Sequence, residues 1–184
     1  MASIALGVSG AGLCNAEEVL AFSVLQYVMG TGSNVLWGNS NSPLAKSLSN
    51  IPEVGATAFN ASYSDNGLFG ILVTVPAEHA GEAVEGALST LRSGSFSSES
   101  IARAKNQLKA AVLMSLESGD SFVSDMGLQA LLTGTVKSAP VIAAAIDAVS
   151  VSDVTAVAKR TAAGKLSLAA IGNLKNVPYL DQLK

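Results

Sequence analysis

AFNASYSDNGLFGI, residues 58–71, is the stretch that decides the fold, because an Asn-Gly pair separates two β-prone runs. Asn and Gly both tolerate positive φ, and this pair is a strong hairpin signal. We therefore expect Asp65, Asn66 and Gly67 to form the turn. The flanking runs, residues 56–64 and 68–75, become two antiparallel strands, and Pro76 ends the second.

The segment before the hairpin has the pattern of a strand followed by a helix. Residues 3–9 are short, apolar and followed by glycines, which is typical of a strand. Asn15 stands three residues before Glu18, as in a capping box, and apolar residues then recur at helical spacing up to Gly30. The first half of the chain therefore reads β-α-β-β.

The segment after Pro76 is mostly helical. Apolar residues at helical spacing predict helices over 80–91, from 97 to about 116, over 120–133, from Pro140 to 149, and from a cap at Ser152 and Asp153 to 163. Residues 166–171 predict a closing strand. The simplest packing is an α+β two-layer sandwich, with helices on one face of a short mixed or antiparallel sheet. No linker divides residues 1–184, which we interpret as a single domain.

The composition excludes some classes of partner. The chain has 11 Lys plus Arg against 14 Asp plus Glu, a net charge of −3, which argues against nucleic acid. No apolar run is long enough for a membrane span. Only 14% of residues are charged, against about 25% in typical soluble proteins. Two interpretations remain open: an alanine-rich helical domain, or a surface that is partly buried against partners.

The residues that carry chemistry are few. His79 and Glu82 match the first four positions of the H-x-x-E-H zinc motif, but Ala83 replaces the second histidine. A catalytic zinc needs three protein ligands, and the chain has one His and one Cys, Cys14. The glycines at 7, 10 and 12 have the wrong spacing for a dinucleotide fingerprint. We predict no metal, no cofactor and no catalytic residue.

Two further features have alternative interpretations. Residues 30–43 form a glycine-rich loop with Gly30, Gly32, Trp37 and Gly38. Long loops of this kind are often functional, and Trp37 either folds onto the core or anchors a partner. The basic cluster of Arg103, Lys105 and Lys109 on one helix predicts a solvated face.

Several strings resemble the mitochondrial processing peptidase-like family, within the pitrilysin-insulinase-like superfamily. The hairpin at 58–71 is similar to that of the core proteins of ubiquinol–cytochrome c reductase, respiratory complex III. The similarity continues in AKNQLKA (104–110), LMSLES (113–118), GLQA (127–130), AAIGNL (169–174) and the closing residues 178–183.

The resemblance implies an α+β fold and a role without catalysis. Family members have two similar halves, and this chain resembles the C-terminal half, with the N-terminal half of the parent absent. The implied role is a structural subunit on the matrix side of the mitochondrial inner membrane. The implied partners are core protein I, other complex III subunits and the missing half. The alternative is an α-type processing subunit whose loop at 30–43 binds presequence peptides. Active β-type chains carry an arginine where this sequence reads LAKSL (44–48), which favours the non-catalytic line.

Overall fold

The structure is a computed structural model that describes residues 1–31, 42–94 and 96–183. Four strands and seven helices lie in these ranges. In chain order they are β1 (Ala2–Ser9), α1 (Ala16–Met29), α2 (Pro43–Ser47), β2 (Gly55–Ser62), β3 (Gly67–Val75), α3 (Ala80–Leu91), α4 (Ser98–Ser115), α5 (Gly119–Thr133), α6 (Ala139–Ala148), α7 (Val151–Ala163) and β4 (Ser167–Gly172).

The strands form one sheet in the order β2-β3-β1-β4, and every neighbouring pair is antiparallel. The closing strand β4 returns beside the first strand, so that Leu6 lies opposite both Ile71 and Leu168. The predicted α+β class is confirmed. The sheet is purely antiparallel, which is one of the two arrangements that the sequence left open.

The core lies between one face of the sheet and the helices. Side chains alternate along a strand, so every second residue of β1 and β3 points to this face. The ring of Phe69 on β3 packs at 5.3 Å from the ring of Phe22 on α1, and both side chains are fully buried. The other buried residues of the two strands are Ala2, Ile4, Leu6, Val8, Ile71, Val73 and Val75.

Most predicted helices occur where their periodicity places them. All six apolar residues that predict α3, from Ala80 to Leu91, are buried, and Asn15 caps α1 by accepting from the backbone N–H of Glu18. Of the two residues predicted to cap α7, Asp153 takes part in the cap, but the N-cap is Ser150 and not Ser152. Ser150 accepts from the N–H of Asp153, and the Asp153 carboxylate accepts from the N–H of Ser150, which completes a capping box.

Among the described residues, no individual helix has the length and apolarity to cross a membrane. Taken together, α6 and α7 reach that length and composition, but they are bent by 77° at the break between them.

Candidate functional site

The structure places His79 in a short 3₁₀ turn that precedes α3. Its Nδ1 lies 3.8 Å from a carboxylate oxygen of Glu82, and its Nε2 lies 4.0 Å from one of Glu78. Within the described residues, no group of three or more His, Cys, Asp or Glu side chains could hold a metal ion. His79 therefore sits beside two exposed carboxylates on a helix N-terminus.

The glycine run at 7–12 packs against the tip of the β2–β3 hairpin. The N–H of Gly10 donates to the carbonyl of Gly67 at 2.7 Å, and the N–H of Leu13 donates to the carbonyl of Tyr63 at 2.8 Å. The Ser9 hydroxyl donates to the Asn66 side-chain oxygen at 3.0 Å. Since the hairpin tip occupies these backbone groups, the run serves packing within the chain.

The conformation expected for the hairpin turn is wrong. Asp65 and Asn66 lie in the connection from Ser62 to Gly67, but neither Asn66 nor Gly67 has positive φ. Gly67 is the first residue of β3 and is paired with Ser62. A Cβ at Gly67 would lie 2.4 Å from the carbonyl oxygen of Ala11, so the position requires glycine because two backbones approach closely.

Gly30, the first residue of the glycine-rich loop, fixes the end of α1 against β2. Its φ is +133°, which favours glycine, and its carbonyl accepts from the N–H of Ala58 at 2.9 Å. The side-chain amide of Gln26 donates to the carbonyl of Ala58 at 3.0 Å. The other proposed contact residues of the loop, Gly32, Trp37 and Gly38, lie outside the described residues.

The basic cluster on α4 is not a solvated face. The ammonium of Lys105 donates to the carbonyls of Asp147 and Val149, both at 2.8 Å. The ammonium of Lys109 lies 2.7 Å from the Asp147 carboxylate. These carbonyls belong to the C-terminal end of α6, where the helix leaves acceptors without intrahelical partners. Lys105 and Lys109 therefore link α4 to α6 through hydrogen bonds and an ion pair, whereas Arg103 is exposed.

A groove of about 510 Å³ separates the start of α1 from α6 and α7. Two of the three acidic residues that line it have partners within the chain. The Arg160 guanidinium binds Glu18 and lies 4.9 Å from the Phe22 ring centroid, while Ser150 holds Asp153. We therefore interpret the groove as a gap left by the packing of these helices.

The sheet face opposite the core, here called the open face, is uncovered by described residues. Ile171 on β4 is 75% exposed, and Leu68 and Leu72 on β3 are 40% and 39% exposed. Strand alternation and the pairing register assign each strand's residues to this face. They are Gly55, Thr57, Phe59 and Ala61 of β2, Leu68, Gly70, Leu72 and Thr74 of β3, Ser3, Ala5, Gly7 and Ser9 of β1, and Ser167, Ala169 and Ile171 of β4.

None of the residues of the open face is charged. An antiparallel sheet with one face in water normally alternates apolar and polar residues. Here the solvent side carries only small, hydroxyl-bearing and apolar side chains, and the row Thr57, Leu72, Ala5 and Ala169 crosses all four strands. An uncharged face four strands wide is typical of a surface that another layer covers.

Helix α5 is the second uncovered apolar surface. None of its residues is buried, and Leu131, Val123 and Leu128 are 81%, 70% and 56% exposed. Apolar residues occur all round the helix, and a helix of that kind is normally buried. The stripe that predicts this helix, which includes Phe122 and Ala130, therefore does not pack into the core of this chain.

Sequence reasoning missed both surfaces, although the sequence of each contains few or no charged residues. The odd-numbered positions 3–9 contain no charged residue, and α5 has only Asp120 and Asp125 over fifteen residues. Either pattern alone is compatible with an alanine-rich soluble domain. The interpretations were an alanine-rich helical domain and a surface that partners partly bury. The structure bears on this choice because it shows which side of each element faces away from the core.

The family model "Peptidase M16 inactive domain" matches residues 1–108. The chain is 42% identical over 172 residues to cytochrome b-c1 complex subunit 2, mitochondrial, of Rattus norvegicus, covering 90% of this chain and 38% of that protein. It is 31% identical over 187 residues to mitochondrial-processing peptidase subunit alpha-2 of Dictyostelium discoideum, covering 98% of this chain and 42% of that protein. The chain thus spans about two fifths of the length of these curated relatives.

A solved structure, complex III2 from Candida albicans with Inz-5 bound, contains a chain with the same fold. The TM-score is 0.89 at 22% identity, covering 98% of this chain and 45% of that one. The fold likeness therefore extends through the helices and the closing strand beyond residue 108. From the family match over residues 1–108, the chain belongs to the Peptidase M16 inactive-domain family.

Proposed function

We propose that the chain is a non-catalytic structural domain of respiratory complex III, in the position of core protein II. In this proposal it packs on the matrix side of the mitochondrial inner membrane against core protein I, other subunits and the N-terminal half of its parent. Residues 1–184 would form one C-terminal domain. The 42% identity to a b-c1 complex subunit supports this assignment over more distant branches of the family.

The observation that carries the proposal is the bare apolar helix α5. Leu131 and Val123 point in different directions around the helix, yet both are more than two-thirds exposed. Full burial of one such side chain contributes about 1.5–3 kcal/mol. A chain that leaves several of these side chains in water gains stability when a partner covers them, which is the physical basis of a scaffold subunit.

The chemistry of the chain supports a role without catalysis. His79 is the only histidine and Cys14 the only cysteine, and Ala83 stands where the second histidine of the zinc motif belongs. Three protein ligands are needed to hold a catalytic zinc with an open position. The family description, an inactive peptidase domain, agrees with this ligand count.

An α-type processing subunit is the alternative function. The similarity to mitochondrial-processing peptidase subunit alpha-2 supports it, since that alignment covers 98% of the chain. In this alternative the loop at 30–43, with Gly30, Gly32, Trp37 and Gly38, contacts presequence peptides. The same loop would contact a neighbouring subunit in a structural role.

Reconstitution tests the proposal. The chain is mixed with its separately expressed N-terminal half and with core protein I, and the products are separated by size exclusion. We expect a stable ternary complex, and no shift in the NMR spectrum of the chain on addition of a presequence peptide. Presequence binding without assembly into the core complex would favour the α-type alternative. A chain that joins neither partner and binds no presequence peptide contradicts both assignments.

A further inference from the structure

We propose that a pocket between the end of α1 and the first half of α4 binds a carboxylate group. The pocket has a volume of about 270 Å³, and its polar lining includes Tyr27, Thr31, Ser100, Arg103 and Gln107. We call it the α1–α4 pocket. A carboxylate can come from an acidic side chain of a partner or from a small organic acid. Only the first of these sources rests on the proposed function.

The periodicity of α4 brings three of these residues to the pocket. Ser100, Arg103 and Gln107 have helical spacing, so they lie on one side of α4. The neighbouring side of the helix carries the buried residues Ile101, Ala104 and Leu108. Since that side packs against the core, the three pocket residues lie at the edge of the contact between α4 and α1.

Four hydrogen-bond donors of the pocket have no partner within the described residues. They are the hydroxyls of Tyr27 and Thr31, the guanidinium of Arg103 and the side-chain amide of Gln107. The described part of the chain also places no carboxylate within 4.0 Å of Arg103. Water can satisfy these donors, but an anion forms stronger, charge-assisted hydrogen bonds. Donors that converge on one cavity therefore favour an anionic ligand.

The charge of the pocket selects a carboxylate among anions. Arg103 is the only charged residue that lines it. One guanidinium balances one negative charge, and its planar fork matches the two oxygens of a carboxylate. A phosphate monoester carries nearly two negative charges at neutral pH, so one would remain unbalanced. Ser100 lies in the first turn of α4, where the helix adds partial positive charge.

Glu99 is the one competitor for Arg103 on the same helix. It is the only acidic residue of α4, it lies one turn before Arg103, and it does not line the pocket. No ion pair joins the two side chains in the structure. Glu99→Gln should nevertheless tighten carboxylate binding by about twofold, because pairs at this spacing attract one another weakly in water.

An NMR titration of the isolated chain tests the proposal. The probe is the α-amide of N-acetylglutamate, which carries one side-chain carboxylate, and its matched control is the α-amide of N-acetylglutamine. We expect saturable shifts of the backbone signals of Thr31 and Ser100 and of the side-chain N–H signal of Arg103. The dissociation constant should be millimolar, because the probe is small. The uncharged glutamine analogue should cause no such shifts.

Arg103→Met should weaken binding of the glutamate probe by about tenfold or more, because it removes the charge-assisted hydrogen bonds. Lys165→Met is the matched control. Lys165 is also exposed and lies outside the pocket, so this variant loses the same net charge and should bind the probe like the wild type. Tyr27→Phe removes one neutral donor and should weaken binding less than Arg103→Met. Circular dichroism should show unchanged folding for all three variants.

The reconstitution experiment identifies the source of the carboxylate. Weaker assembly of the Arg103→Met chain with its partners would assign it to an acidic side chain of a partner. Normal assembly of this variant, together with loss of probe binding, would assign it to a small organic acid.

Three results would overturn the proposal: equal probe binding by the wild type and Arg103→Met, equal binding of the glutamate and glutamine analogues, or tighter binding of inorganic phosphate than of the glutamate probe. Each would leave the proposed function standing, since that depends on assembly of the wild-type chain.

Discussion

Close approach of backbones determines where glycine is needed in this chain. At Gly67 the β3 backbone passes so near to Ala11 that a Cβ would lie 2.4 Å from a carbonyl oxygen and 2.7 Å from a nitrogen. A Cβ on Gly70 would lie 2.0 Å from the Leu6 carbonyl oxygen and 2.8 Å from the Phe59 ring. An Asn-Gly pair indicates a turn from sequence, but the close packing of Gly67 against Ala11, which lies 56 residues earlier in the chain, is a tertiary constraint that no local pattern contains.

Gly67→Val should destabilise the fold by about 1–3 kcal/mol, because the new side chain overpacks a backbone contact that cannot move easily. Urea unfolding monitored by circular dichroism measures the change. The matched control is Gly127→Ala on α5, where a Cβ meets nothing within 4 Å. That substitution should cost no stability, since alanine favours a helix over glycine by up to about 1 kcal/mol. Equal midpoints for Gly67→Val and wild type would contradict the close approach.

The pKa of the Asp153 carboxyl is lowered by the Ser150 hydroxyl and then by the Ser150 N–H, both of which donate to it. Because the pKa is lower in the folded state, this cap stabilises the fold at pH values above the ordinary pKa of aspartate. The contribution is lost as pH falls through the lowered value.

An NMR titration of the side-chain carboxyl carbons should therefore show Asp153 titrating below a reference aspartate in the unfolded chain. Ser150→Ala should raise the Asp153 pKa towards its ordinary value. Ser152→Ala is the matched control, because Ser152 bonds the Ser150 hydroxyl and not the carboxylate. Identical titration curves in the wild type and Ser150→Ala would contradict the capping box.

The secondary-structure elements differ in how far their sequences predicted them. Periodicity located α3 and its buried stripe because that helix packs against the core of its own chain, so its pattern and its environment agree. The same reasoning located α5 but wrongly implied that it packs into the core of this chain. Apolar residues indicate that a helix is buried, but they do not show whether its own chain or a partner buries it. The basic cluster on α4 was misread because its acceptors, the carbonyls at the end of α6, are about forty residues away.

Lys105→Met should destabilise the α4–α6 contact by about 1 kcal/mol. It removes two charge-assisted hydrogen bonds and leaves the last carbonyls of α6 without a protein donor, while it keeps most of the apolar stem. Urea unfolding is again the measurement. Arg103→Met is the control, because Arg103 is an exposed cation on the same helix whose side chain makes no hydrogen bond among the described residues. If both variants unfold at the same urea concentration, the bonds from Lys105 contribute nothing to stability.

At the scale of the whole molecule, the low charge content left two interpretations open, and the structure favours a surface that partners bury. Charged side chains are present on the helices, whereas the face across β2, β3, β1 and β4 has none. An evenly distributed shortage of charge would have fitted an alanine-rich soluble domain. An uncharged sheet face fits a surface that is covered in an assembly, and so does α5, which leaves several large apolar side chains exposed. The loop contacts proposed at Gly32, Trp37 and Gly38 remain a prediction.

The whole chain should bind no stoichiometric zinc and cleave no presequence peptide. His79 is flanked by Glu78 and Glu82, which could contribute carboxylate oxygens, but the thiol of Cys14 is held at the hairpin tip by a bond to the Ser64 carbonyl at 3.0 Å. Two adjacent carboxylates and one imidazole on a single solvent-exposed turn lack the fixed tetrahedral arrangement of a catalytic site. Elemental analysis after dialysis should find zinc well below one equivalent, and His79→Ala should not change that value. A full equivalent that His79→Ala removes, or peptide cleavage that a chelator abolishes, would show that this chain has a catalytic site and that the structural assignment is wrong.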